Sequence, residues 1–340
     1  MVRFRRFAPP AVEGTRPERL GFLLPLCAAA LVMAAVPLVL LAITDDGGTP
    51  DLFARTLPLV RALLYLVSLG TIALLCAGVL LPRDALDEEL SHPAVRLGRQ
   101  GSTVGIGAVV VGVVLLFWTY ADIVGEPALT EGGLGDFGLF LRELASGRAL
   151  LALCGLMAVS AVVAGLAQTE TALRMALFLA VAGTATLGLG GHGASETGHS
   201  LVMFTLTSHI GAASLWVGGL AGLGWLALAG GSPLEPAVRR FSRIALICAL
   251  IVTVSGVASA LFGVSDVAQL PGTLYGAVLL LKVLALGILI VFGVLHRRRL
   301  ASEAFGGAAF LRLAAGELLV MGAAYGLAIA LTGLDPPAAP

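Results

Sequence analysis

Nine long apolar runs dominate this sequence, and each is long enough to cross a membrane. A hydrocarbon core about 30 Å thick needs roughly 20 consecutive apolar residues in a helix. Such runs recur along all 340 residues, and hydrophobic residues make up 58% of the chain while charged residues make up 12%. This composition excludes a soluble globular domain, which carries about 45–50% apolar residues. The predicted spans are 20–44, 57–81, 101–123, 149–168, 174–191, 200–230, 241–263, 272–295 and 312–333.

The runs are continuous rather than alternating in polarity, which indicates helices and not the strands of a membrane barrel. A helix satisfies its backbone hydrogen bonds within the segment, as lipid requires. We therefore predict an all-α fold, a polytopic transmembrane helix bundle. The first run is longer than the core of a secretory signal, about 7–15 residues, so we expect it to be retained as the first span.

The placement of arginine predicts the orientation, because basic residues accumulate in the short cytoplasmic loops of membrane proteins. With the N-terminus cytoplasmic, 16 of the 21 Lys and Arg residues fall on the cytoplasmic side. Only Arg55, Arg61, Arg142 and Arg148 fall outside, and Lys282 lies within a span. Nine spans then place the C-terminus outside. The formal net charge of zero gives no reason to expect nucleic acid as a partner. Membrane lipid is the expected surrounding.

A short amphipathic stretch lies in the outer segment 122–148, between the third and fourth spans. Its apolar residues recur at helical spacing, opposite a charged pair. This pattern predicts an interfacial helix that lies on the outer leaflet. The apolar positions are Phe137, Phe140, Leu141 and Leu144.

Three of the five histidines lie within eighteen positions, in the stretch GHGASETGHSLVMFTLTSHIGAASLWVGGL at 191–220. By the orientation above, the loop at 191–199 faces outside and His209 lies inside the sixth span. Nine residues at about 1.5 Å each put His209 roughly 14 Å into the membrane. An ionisable residue at that depth is costly and marks a functional site by default.

The same stretch offers ligands for copper. Imidazole suits copper or zinc, and a thioether favours Cu(I). His199 and Met203 are four residues apart on one helix face, His192 lies at the preceding helix end, and Glu196 can help to collect cations in the same loop. We predict an outer capture site made of His192, His199 and Met203, with His209 as the next stop inward. The alternatives are polar residues at the water interface for the two outer histidines, core filling for Met203 and a hydrogen-bonding strut for His209.

Two further ionisable residues fall within spans. Lys282, the only lysine, lies about 15 Å below the outer start of the eighth span. Glu317 is its nearest candidate partner by residue type, but the two differ in depth by roughly 12 Å, so the sequence does not assign the pair. Beside a cation path, Lys282 is a candidate gate that repels the ion until a carboxylate or a proton change relieves the repulsion. Trp216, on the same helix face as His209, is expected to pack against a neighbouring helix. His296 is expected to be a solvated basic anchor.

The order GHGAS, SHIGAASLWVGGL, RRFSRIALICALIVTVSG, LYGAVLLLKVLALG and HRRRL resembles the membrane domain of the copper resistance protein D (CopD) family. Its most specific elements are H-x6-W-x-GG and YG-x4-LK, and the resemblance covers about 190–300. It implies a multi-pass protein of the bacterial cytoplasmic membrane that transports or delivers a copper ion, with His192 and His209 on the family's histidine positions. It also implies a separate periplasmic copper carrier, because the chain has no Met-rich segment. A cytochrome oxidase copper-assembly protein is a further partner implied by the resemblance.

We divide the chain into five N-terminal spans without a clear motif at 1–190, a CopD-like transmembrane domain of four spans at 191–334, and a Pro-rich tail at 335–340. The predicted function is copper transport or delivery, in copper homeostasis or resistance. We expect no enzymatic activity, and the absence of a nucleotide-binding motif argues against coupling to ATP. A haem-binding membrane cytochrome with two histidine ligands is one alternative. A structural membrane subunit without metal is the other.

Overall fold

The computed structural model describes residues 16–44, 52–81, 90–125, 133–190, 199–229, 234–263, 272–301 and 306–334. This part of the chain is almost entirely helical and contains no strand. A 3₁₀ turn at Thr186–Gly190 directly follows the sixth helix. The helices are α1 (Arg16–Thr44), α2 (Leu52–Leu80), α3 (His92–Val124), α4 (Gly133–Glu143), α5 (Ala145–Leu166), α6 (Glu170–Ala185), α7 (His199–Ala229), α8 (Leu234–Gly263), α9 (Leu274–Ala301) and α10 (Gly307–Leu331).

Nine helices of the described ranges are long and apolar enough to cross a membrane, which confirms the predicted all-α transmembrane bundle. Several helices begin before their apolar run. α3 begins at His92 rather than at 101, and α8 begins at Leu234 rather than at 241. Local interactions extend them: Pro93 suits the first turn of α3, and an ion pair between Glu235 and Arg239, at 2.7 Å, supports the first turn of α8.

The core forms where α7 lies against α2. Gly222 of α7 has no room for a side chain, because a Cβ there would meet the carbonyl oxygen of Ala73 and, at 3.2 Å, the amide nitrogen of Ala77. Small residues allow backbones to approach closely in membrane bundles. Trp216 is 6% exposed and belongs to this core, as its predicted packing against a neighbour requires.

The first and last helices also pack along each other. Gly322 and Gly326 of α10 lie against the backbone of Ala29 and Met33 on α1. Helix contacts therefore cross the predicted boundary at residue 190, since α1 packs on α10 and α2 packs on α7. The spans before and after this boundary contribute to one hydrophobic core.

The helices α8 and α9 lie at the edge of the bundle. α8 packs mainly on α7, α9 packs mainly on α10, and the contact between α8 and α9 is small. Their outer faces carry exposed aliphatic side chains such as Val254 and Leu280, at 68% and 67% exposure. Such faces suit contact with lipid, which is as apolar as a leucine side chain. α9 therefore depends chiefly on α10 for its position.

The short helix predicted in the outer segment is confirmed as α4, although it ends at Glu143 and leaves the predicted position Leu144 outside the helix and 37% exposed. Its aromatic face packs on protein. Phe137 stacks on Phe117 of α3 with ring centroids 4.7 Å apart and meets Tyr120 edge-on at 5.4 Å. Phe140 is only 3% exposed. The amphipathic pattern predicts which face of α4 is buried. That face contacts aromatic side chains of α3, whereas the predicted contact was lipid.

Candidate functional site

The side chain of His209 on α7 bonds across to α8. Its Nδ1 lies 3.0 Å from Oγ of Ser255. The same hydroxyl lies 2.5 Å from the carbonyl oxygen of Ile251, to which it donates its hydrogen. A hydroxyl has one hydrogen to donate, so Ser255 accepts from the imidazole and Nδ1 carries the N–H. The ring also contacts the backbone of Val252 on α8. In the tautomer with the hydrogen on Nδ1, the neutral ring keeps the lone pair of Nε2.

Gly256 provides the space for this ring. A Cβ at that position would lie 3.3 Å from Cε1 and 3.6 Å from Nδ1 of His209. Histidines that bind metals use one ring nitrogen while a neighbouring group holds the other N–H, which fixes the tautomer and the ring orientation. His209, Ser255 and Gly256 reproduce that arrangement within the membrane-spanning part of the bundle.

A second polar contact lies one helical turn away from His209, toward the beginning of α7. Ser259 Oγ donates to Thr205 Oγ1 at 3.3 Å, and Thr205 donates to the carbonyl of Val202 at 2.9 Å. Because residues four apart share a helix face, the two contacts form one line between α7 and α8. We call Thr205, His209, Ser255 and Ser259 the polar seam. Sequence reasoning missed its three hydroxyls, although their spacing of four residues from each other or from His209 was a usable signal.

Lys282 of α9 lies within electrostatic range of His209, so two of the predicted site residues act on each other. The lysine is half-buried, and it belongs to the helix that makes little contact with α8. A positive charge there repels any cation that approaches Nε2 of His209. His209 thus offers a ligand atom for a cation, whereas the positive charge of Lys282 opposes the binding of that cation.

Glu317 contacts His296 rather than Lys282. His296 Nε2 lies 3.0 Å from Glu317 Oε2, and the glutamate side chain is 3% exposed. The imidazole also packs against Phe310 with ring centroids 5.4 Å apart. The prediction of a solvated anchor at His296 was therefore wrong. α9 continues past its apolar run and directs His296 toward α10, while the arginines at 297–299 stay exposed.

The predicted outer capture site falls largely outside the described residues. His192 and Glu196 lie beyond those ranges, and for His199 only its place at the start of α7 is described. Met203 is half-buried on α7, one turn further along. Across the described ranges, no group of three or more His, Cys, Asp or Glu residues is placed to hold a metal ion. The capture site therefore stays a prediction.

Residues 235–331 match the family model described as copper resistance protein D. The matched segment runs from α8 to the end of α10, so it contains Ser255 and Lys282 but not His209. No curated protein and no solved structure matches the chain significantly. The family resemblance predicted for about 190–300 is confirmed where it overlaps this segment, and it associates the multi-pass membrane protein with copper resistance.

Proposed function

We propose that this chain transports or delivers copper in the bacterial cytoplasmic membrane, without enzymatic activity, and that His209 binds the copper ion through Nε2. The observation that carries the proposal is the contact from His209 Nδ1 to Ser255, which in the Nδ1–H tautomer keeps the lone pair of Nε2 for a metal ion. Neutral imidazole is a common copper ligand. The family match at 235–331 supports copper as the substrate.

The polar seam supports a route for the ion along α7. Its hydroxyl oxygens lie between α7 and α8 beside His209, and an ionisable side chain such as His209 at membrane depth usually marks an ion or substrate pathway. In this proposal, a periplasmic carrier supplies copper to His192, His199 and Met203, and the ion then passes along the seam to His209. A cytochrome oxidase copper-assembly protein is the proposed recipient.

Metal content and the absorption spectrum of the purified protein test this function. Protein from copper-supplemented cells is expected to contain about one copper per chain by mass spectrometry and to show no Soret band. Copper at the background level would contradict the proposal. A Soret band would support the haem-binding alternative, because two histidine ligands to haem give that absorption.

Replacing Ser255 with alanine is expected to weaken copper binding by about 10–100-fold, the usual effect of removing a group that orients a metal ligand. The ligand His209 remains, but its ring loses the hydroxyl of Ser255 and keeps only its contact with the backbone of Val252. Copper affinity can be measured by competition with a chelator. Thr253→Ala is the matched control, since Thr253 on α8 also donates to the carbonyl four residues before it, that of Ala249. Equal affinities for the two variants would contradict the assigned role of Ser255.

Replacing Lys282 with leucine is expected to increase copper retention by about tenfold, equivalent to roughly 1.4 kcal/mol of relieved repulsion. Leucine removes the charge and, unlike methionine, adds no thioether ligand for copper. The measurement is the copper left per chain after a chelator wash. Arg312→Leu removes a positive charge from an exposed position on α10 and serves as the control. Unchanged or reduced copper retention in the Lys282 variant would contradict the proposed role of this lysine as a gate.

A further inference from the structure

The exposed apolar faces of α8 and α9 each continue into an exposed arginine. On α8, exposed aliphatic residues recur at spacings of three or four, and Arg243 lies one helical turn before the first of them. On α9, Arg298 lies one turn after the last residue of a similar row. We call these rows the α8 stripe and the α9 stripe. The α8 stripe is Ile247, Leu250, Val254, Val257 and Leu261, and the α9 stripe is Leu280, Leu284, Val291 and Val294.

The arginine ends of the two stripes lie beside each other. Arg297 Nη2 donates to the carbonyl oxygen of Ser242 at 3.4 Å, so α9 reaches α8 next to Arg298 and Arg243. The two helices otherwise make little contact with each other. Three exposed guanidinium groups from two helices thus lie near one end of the bundle, where α8 begins and α9 ends.

The carboxylates that the structure describes near this end already have partners. Glu235 pairs with Arg239 of its own helix at 2.7 Å, and Glu317 contacts His296 at 3.0 Å. A guanidinium group presents paired N–H donors that match the oxygens of a phosphate group. The arginine ends are therefore suited to an anionic ligand from outside the described chain.

The ligand must also cover a long apolar surface. Only 11% of the most apolar part of α8 and 17% of that of α9 is buried within the chain, against 61% for α7 and α10. A second copy of the chain fits this surface poorly. Copies in one membrane share an orientation, so a twofold contact through the stripes would bring the arginines of both copies together, and like charges repel. A phospholipid with an anionic headgroup offers acyl chains for the stripes and the opposite charge for the arginines.

We propose that an anionic phospholipid binds along α8 and α9. Its phosphate contacts Arg243, Arg297 and Arg298, and its acyl chains lie along the α8 and α9 stripes. The lipid thereby joins two helices that make little contact with each other. Its binding does not depend on copper being the substrate.

Native mass spectrometry of the purified protein with added lipid tests this site. Dioleoyl phosphatidylglycerol is anionic, whereas dioleoyl phosphatidylcholine has the same acyl chains and no net charge. We expect the wild type to bind phosphatidylglycerol about tenfold more tightly than phosphatidylcholine. Arg243→Gln/Arg298→Gln should bind phosphatidylglycerol about 10–30-fold more weakly than the wild type, because each arginine beside an anionic headgroup strengthens binding about fivefold.

Arg96→Gln/Arg99→Gln is the matched control. It removes two exposed arginines from the start of α3, a single helix whose first turns lie on the same side of the membrane as those of α8, and it should retain wild-type affinity. Arg243→Lys/Arg298→Lys keeps both charges and should retain most of the affinity. If the glutamine double variant folds poorly, Arg298→Gln alone should show a loss of about fivefold.

Three outcomes would overturn the proposal. Equal wild-type affinities for the two lipids would show that the headgroup charge is not recognised. Equal losses in the α3 variant and the α8/α9 variant would indicate a general attraction to positive charge and no site at this place. A dimer that carries no lipid would identify a second copy of the chain as the occupant of the stripes.

Discussion

Replacing His209 with alanine is expected to reduce bound copper to the background level, a loss of at least about tenfold, while the bundle remains folded. Truncation removes Nε2, the atom proposed to bind copper. It leaves Ser255 bonded to the carbonyl of Ile251, so no hydroxyl hydrogen loses its acceptor. The loss of bound copper per chain should exceed that in Ser255→Ala, because that variant keeps the ligand and loses only a group that orients it. Copper per chain, measured by mass spectrometry on both proteins, checks this prediction.

Two variants separate a lost ligand from a lost fold. His92→Ala removes an exposed histidine at the start of α3 and should retain wild-type copper. His209→Gln keeps an N–H donor for Ser255 but has no imidazole nitrogen, so it should lose copper as the alanine variant does. Wild-type copper in both His209 variants, each with a normal helical circular dichroism spectrum, would contradict the role of His209. His209 would then be the interhelical strut considered as the alternative.

The bundle could be predicted because membrane spans obey one strong constraint. Each apolar run must form a helix in lipid, so the number of spans follows from their lengths. Helix ends were harder to predict because they lie outside the hydrocarbon, where turns such as the one containing Glu235 and Arg239 depend on local pairs. The aromatic face of α4 was predicted to contact lipid, because an amphipathic pattern shows which face of a helix is buried but not what buries it.

The candidate site was predictable in part for a related reason. The predicted depth of His209 in the membrane, and the free-energy cost of an ionisable residue at that depth, identified it from the sequence alone. Its hydrogen-bond partner Ser255 lies 46 residues later, and their meeting depends on how α7 and α8 pack, which no short-range pattern encodes. The same limit applies to Glu317. Its carboxylate was matched to Lys282 by residue type, whereas the packing of α9 on α10 brings it to His296.

Close packing of α7 on α2 gives the second large effect, because it positions the helix that carries His209. Gly222→Ala adds only a Cβ, but this atom would meet the backbone at Ala73 and Ala77, which cannot move aside as a side chain does. Overpacking of this kind costs about 1–3 kcal/mol, so the unfolding midpoint of a chain of this length should fall by about 1–4 °C.

Gly287→Ala on α9 is the matched control for Gly222→Ala. A Cβ there meets nothing within 4 Å, and alanine favours a helix over glycine by up to about 1 kcal/mol. Its midpoint should equal or exceed that of the wild type. If Gly222→Ala lowered the unfolding midpoint and Gly287→Ala did not, the close backbone approach, and not helix propensity, would decide the stability of α7. If Gly222→Ala melted at or above the wild-type temperature, α7 would not be held by this contact, and the position of His209 would depend on the other neighbours of α7, chiefly α8.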